Sequence, residues 1–226
     1  MSLNSVMMLI STAAIILPAV LIVSLGLIKY RTFSVFAIYC LLSSSYNLLS
    51  GGYFNLDANM LHFIGMFINL LDAPLMLYFL TYFTDDTGIR KRMKWIVLSL
   101  LVCEAIFILA FGFNMLSVTI LMGAGLLAVL YFVFNFFIRQ IKFVIIQGRE
   151  VGKAMIISAI LIAYYFYTSI YFTFYVLKIY IIQNRDDLYF TYYLGCIFSY
   201  LLLSVGIFIE KKRIHKLTEI NTVNQS

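Results

Sequence analysis

HFIGMFINLLDAPLMLYFLTYF, residues 62–83, is apolar along most of its length, with Asp72 near its middle and Pro74 two residues later. A run of about 20 apolar residues is what a helix needs to cross the hydrocarbon of a bilayer. A charged side chain at the centre of such a helix costs roughly 2.5–3.5 kcal/mol on insertion scales, so it normally turns inward to a partner or to water. Pro74 cannot donate to the carbonyl of Leu70, which frees that carbonyl for a kink or for a polar partner. At 100° per residue His62, Gly65, Asn69, Asp72 and Met76 fall within about 80° of arc, so the polar groups share one stripe. The stretch reads as a membrane-spanning helix with a polar face turned into a bundle.

The rest of the chain supports that reading. Its 226 residues are 63% hydrophobic and 12% charged, with a mean hydropathy of +0.99. Soluble domains sit near half apolar and a quarter charged. Spans are predicted at 6–28, 33–54, 59–83, 95–113, 116–138, 152–177 and 188–209, which makes an all-α, polytopic membrane protein of seven transmembrane helices. Residues 1–210 form the seven-helix domain and 211–226 a short basic and polar tail. The first run lacks a basic segment before it and is followed by positive charge, so it reads as a retained helix and not as a signal peptide.

Lys and Arg set the expected direction. Lys29, Arg31, the cluster at 90–94, Arg139, Lys142, Arg149, Lys153 and the tail cations Lys211, Lys212, Arg213 and Lys216 fall on one side, 14 of 16 in all. Only Lys178 and Arg185 fall on the other, beside Asp186 and Asp187. The N-terminus is expected outside and the C-terminus in the cytoplasm of a plasma or bacterial inner membrane. The net charge of +6 is then explained by cationic loops facing an anionic leaflet, without nucleic acid.

Matching polar stripes recur. Tyr39, Ser43, Tyr46, Asn47 and Ser50 share a face of the second span. Tyr164, Thr168, Tyr171 and Tyr175 do so on the sixth, and Tyr189, Tyr193, Cys196 and Tyr200 on the seventh. An outer cavity lined by tyrosine rings and hydroxyls would account for all of them. Tyrosines near span ends are also ordinary interfacial residues, a reading that suits Tyr180 and Tyr189 better than the deeper ones. The candidate ligand-binding or proton-sensing residues are therefore Asp72, Asn69, His62, Asn47, Ser43, Tyr46, Tyr164, Tyr171, Tyr193 and Tyr200. Glu104 joins them as a second mid-span carboxyl that could share a proton with Asp72 if their helices face each other. Asn135 is expected to hydrogen-bond between helices.

Several classes are disfavoured. With two histidines, one of them in the tail, neither a membrane-hydrolase zinc site nor a bis-histidine haem site can be assembled. No serine or cysteine sits in a GxSxG-like context, so an enzyme is not expected. Cys40, Cys103 and Cys196 read as buried free thiols, and no cofactor is expected.

FSVFAIYCLLSSSYNLLSGGYF (33–54) followed by LLDAPLMLYFLTYF (70–83) resembles helices two and three of the microbial rhodopsins, including the glycine-tyrosine turn and a proline at Pro74. The resemblance implies a seven-helix bundle with an outside N-terminus. It places Ile68 at the family's counter-ion position and Asp72 where the family usually has threonine. The family binds retinal through a mid-helix lysine on the last span. LYFTYYLGCIFSYLLLSVGIFI (188–209) has none, and Trp95 is the single tryptophan. A retinal Schiff base is therefore not expected. The sequence reading is a receptor-like bundle that binds a small amphipathic or aromatic ligand near Asp72 and signals through a separate cytoplasmic partner. The alternative is a small-solute transporter or proton-linked channel that uses Asp72 and Glu104.

Overall fold

The computed structural model describes residues 3–53, 57–177 and 185–223, and the side chains within them except those of 175–176, 185–187 and 216–223. Seven long helices follow in order: α1 Leu3–Ser24, α2 Arg31–Ser50, α3 Ala58–Leu80, α4 Thr87–Phe111, α5 Met115–Gln147, α6 Val151–Tyr171 and α7 Arg185–Val223. All seven contain segments long and apolar enough to cross a membrane, and no strand occurs among the described residues. Of the loop expected at 178–187, residues 178–184, with Lys178 and Tyr180, lie outside the described residues and 185–187 already belong to α7; the side chains of Tyr175, Arg185, Asp186, Asp187 and Lys216 also lie outside them.

Local chemistry fixes where the helices stop. The Asp86 carboxylate accepts the amides of Gly88 (2.7 Å) and Ile89 (3.2 Å) and opens α4. Asn114 Oδ1 accepts the Ser117 amide at 3.0 Å and opens α5. Such caps satisfy amides that a helix N-terminus leaves unpaired. Gly112 (φ +83°) and Gly148 (φ +61°) close α4 and α5 in a region where an L side chain is strained. Beyond α6, Phe172–Val176 form a π-turn in which the Leu177 amide donates to the Phe172 carbonyl at 2.9 Å.

Three boundaries differ from the sequence reading. Arg90, Lys91, Arg92 and Lys94 lie on the first turns of α4, and Arg139 and Lys142 on the last turns of α5, not in loops. α7 likewise continues through 211–223, so the expected tail begins as a helix extension. Hydropathy marks the apolar part of a helix, whereas the backbone stays helical beyond it because propensity and caps favour it.

Packing closes a ring: α1 lies against α2 and α7, α2 against α3, α3 against α5, α5 against α6 and α6 against α7. α4 flanks this ring at α3 and α5, and most of its surface faces outward, with Leu109 86% exposed. Small residues bring the ring together. A Cβ on Gly152 would stand 2.8 Å from the Glu210 amide nitrogen, and one on Gly206 3.0 Å from that of Ile156, so α6 and α7 are in backbone contact. A Cβ on Gly125 would stand 2.6 Å from that of Ala73, which sets α5 hard against α3. Aromatic packing adds to this at the C-terminal end of α3, where Phe79 meets Phe33, Phe36 and Phe83.

Candidate functional site

Asp72 is buried. It points to the side of α3 where α2, α6 and α7 converge, and Tyr164 Oη on α6 donates to its Oδ2 at 2.8 Å. Tyr39 on α2 lies within electrostatic reach of Asp72, Tyr164 and Tyr200. One carboxylate and three tyrosine hydroxyls from four helices thus form a compact polar cluster.

The cluster is the floor of a cavity of about 120 Å³. One buried water needs roughly 10–15 Å³ of such space, so several fit. α2 contributes Ser43, Tyr46 and Asn47 above Tyr39, and α3 contributes Ile68 and Asn69 above Asp72. The far wall is Tyr167 beside Tyr164 on α6, and Tyr192, Cys196 and Tyr200 on α7. Accessibility is graded along the axis. Tyr39, Asp72, Tyr164, Cys196 and Tyr200 are buried, while Ser43, Tyr46, Asn47, Asn69, Tyr167 and Tyr192 are partly accessible. The latter lie toward the end away from the basic residues. At 1.5 Å per residue, Asp72 is about 21 Å down α3 from its first residue.

The lining is held by its own hydrogen bonds. Tyr167 Oη donates to Asn69 Oδ1 at 3.4 Å and lies 3.5 Å from Met122 Sδ of α5. The Tyr164 and Tyr167 rings meet edge to face with centroids 6.3 Å apart. A Cβ on Gly65 would fall 2.7 Å from the Tyr46 ring, so α3 accommodates that ring by having no side chain there.

Of the residues expected at the site, Asp72, Asn69, Asn47, Ser43, Tyr46, Tyr164 and Tyr200 line the cavity. His62, Tyr171, Tyr193 and Glu104 do not. His62 is exposed near the first turn of α3. Tyr171 Oη donates to the Thr119 carbonyl of α5 at 2.8 Å and packs against Gly123. Tyr193 yields its place to Tyr192, because Tyr192, Cys196 and Tyr200 stand at i, i+4 and i+8 on the inward face. Tyr39, Tyr167, Tyr192 and Cys196 line the cavity as well, although they were not among the expected site residues. For Tyr39 the signal was its place on the α2 stripe.

Glu104 is buried at 6% exposure on α4, most of whose surface faces outward. Phe107 and Ile108, one turn further along, pack against a cluster of Met66 and Leu70 of α3 with Val118 and Leu121 of α5. Leu70 and Asp72 are about 160° apart around α3, so Glu104 belongs to the opposite side of that helix from the cavity. Two other expectations change. Cys103 is exposed on α4, and Asn135 is exposed and donates to the Tyr131 carbonyl of its own helix at 2.7 Å.

A second polar centre closes the bundle at the basic end. Glu210 of α7 is fully buried; it accepts from Tyr82 Oη and from Arg213 Nη2 at 2.6 Å. Arg213 also reaches Glu150 at 3.4 Å, and Glu150 pairs with the buried Lys153 at 2.9 Å. Glu150 holds φ +62° immediately before α6. This left-handed geometry costs a non-glycine residue about 1–2 kcal/mol, and its two cationic partners hold the carboxylate in place. The centre ties the end of α3 to the start of α6 and to α7.

The sequence matches no protein-family model, and neither a curated protein nor a solved structure is significantly similar to it.

Proposed function

We propose that this chain is a receptor-like, small-ligand-binding membrane protein. Its N-terminus and cavity mouth face outside, and its basic end faces the cytoplasm. The observation that carries the reading is a buried carboxylate, Asp72, at the floor of a tyrosine-walled hollow with graded access from one end. A carboxylate kept for packing alone needs no such space. The orientation rests on the cations gathered at the other end. In this reading a ligand alters the hydrogen bonds around Asp72. Tyr164 passes the change to α6, and the Glu150–Lys153–Arg213–Glu210 centre passes it on to a separate cytoplasmic partner. The arrangement is proposed as rhodopsin-like without the retinal Schiff base.

A transporter or proton-linked channel would need the two mid-span carboxyls on one path. The separation of Glu104 from the cavity by α3 favours the receptor reading. Asp72→Asn tests it in reconstituted vesicles and in ligand-dependent thermal stabilisation of purified protein. The proposal expects lost stabilisation and no solute or proton flux from either form. Asp72-dependent flux would replace it with the transport reading.

A further inference from the structure

We infer that the cavity is built for a small organic monocation, an alkylammonium or quaternary ammonium compound, with its charged nitrogen against Asp72. The inference rests on the cavity being a ligand site and narrows what that site accepts.

Charge comes first. Fourteen residues line the hollow, and Asp72 is the one acidic or basic side chain among them. No described Lys, Arg or His pairs with it: the ion pairs among the described residues all lie at the basic end. An ionised carboxylate taken out of water without a counter-charge is costly. A tyrosine hydroxyl shares the charge by donating a hydrogen bond but does not neutralise it. A cation arriving from the accessible end would. An anion would meet the same carboxylate unscreened.

Ring chemistry agrees. Six tyrosines line the hollow: Tyr39, Tyr46, Tyr164, Tyr167, Tyr192 and Tyr200. The faces of such rings attract cations, most strongly where water is excluded, and quaternary ammonium groups are favoured guests of aromatic cages. Tyr164 Oη is already committed to Asp72 and Tyr167 Oη to Asn69, which holds these rings as wall and not as free donors.

Size and polarity along the axis restrict the ligand further. The volume of about 120 Å³ lies below the roughly 300–1,000 Å³ of drug-sized pockets, so a compact head group fits and an extended polyene or fused-ring system does not. Nearer the mouth, Ser43 and Asn47 offer neutral hydrogen-bonding groups to a short polar tail.

The test uses the full chain, purified in detergent and in lipid nanodiscs. Thermal stabilisation is followed against tetramethylammonium and ethylammonium chloride, with tert-butanol as neutral probe, propionate as anion and sodium chloride titrated by itself as inorganic cation. The expected result is saturable stabilisation by the ammonium salts alone, weakened at least tenfold in Asp72→Asn. Ser43→Phe, which fills the mouth and leaves Asp72 intact, should abolish it. That variant decides the matter if Asp72→Asn does not fold. Tyr192→Leu should weaken tetramethylammonium more than ethylammonium. Equal stabilisation by tert-butanol or propionate, lost in Ser43→Phe, would overturn the cation assignment while leaving a ligand site. Saturation by sodium ion at the same place would make it an inorganic cation site and overturn the organic one. No saturable response to any probe would overturn the ligand-site reading itself.

Discussion

The Tyr164 hydroxyl donates to Asp72 Oδ2 over 2.8 Å, joining α6 to α3 across 92 positions of sequence. A hydrogen bond to a charged group is worth about 1.5–3 kcal/mol net, and losing one partner leaves the other buried and underserved. Tyr164→Phe keeps the ring and removes only the donor. It should destabilise the bundle by about 1–3 kcal/mol, read by denaturant unfolding in mixed micelles. Tyr39→Phe at the same cluster should couple with it non-additively. Strict additivity would mean that the two hydroxyls do not serve one carboxylate.

Glu104 provides the contrasting case. The residue is largely buried, and its carboxyl accepts no hydrogen bond from any described residue. Replacing a buried, poorly partnered charge with an apolar residue of similar size is often neutral or stabilising, by about 1–4 kcal/mol where it helps. Glu104→Leu should therefore leave unfolding stability unchanged or raised, and ammonium-induced stabilisation unaltered. Lost ligand response in that variant would show that the α4 side of α3 is part of the site after all.

At the basic end, Glu210→Leu removes the acceptor shared by Tyr82 and Arg213. Breaking a buried pair from one side costs about 3–5 kcal/mol; Arg213 is 30% exposed on its side chain, so the lower part of that range is expected. Removing both partners in Glu210→Leu/Arg213→Leu should recover much of the loss. Unfolding free energies of the four members of this cycle give the coupling. A double variant as damaged as the sum of the singles would deny that the pair acts as a unit.

Tyr171→Phe should cost about 0.5–1.5 kcal/mol, the worth of one hydrogen bond, here to the Thr119 carbonyl. Affinity for any cavity ligand should stay within twofold, measured by titration. A larger shift would return Tyr171 to the binding residues.

The helix count and the inward direction of Asp72 were legible because both follow from one-dimensional signals. Long apolar runs need a bilayer-like surrounding, and a lone mid-span carboxylate needs an inward direction. The stripes on α2 and α3 were legible too, since Ser43, Asn47, Asn69 and Asp72 are polar enough to define a face. α7 was harder. Tyr193 competes with Tyr192 for the place one turn before Cys196 and Tyr200, and periodicity cannot choose between registers that differ by one position when both carry tyrosine. The choice is made by neighbours: Gly195 admits the Phe166 ring of α6, where a Cβ would stand 2.5 Å away, which fixes the rotation of α7. Glu104 misled for a related reason. Depth along a helix can be counted from sequence, but the side of a third helix on which two carboxyls fall is a tertiary fact. The basic-end centre escaped notice because Glu150, Lys153, Glu210 and Arg213 each look like ordinary boundary charges.

The meeting of Gly125 with Ala73 has a consequence for how such a hollow can diverge. Ala73, the neighbour of Asp72, is met from behind by a hydrogen atom where every other residue would put carbon, on a helix that contributes nothing to the chamber wall. A single methyl there would shoulder α3 toward α2 and narrow the chamber without altering any group that meets a guest. The dimensions of the chamber are thus written partly in positions that no inventory of its walls would include.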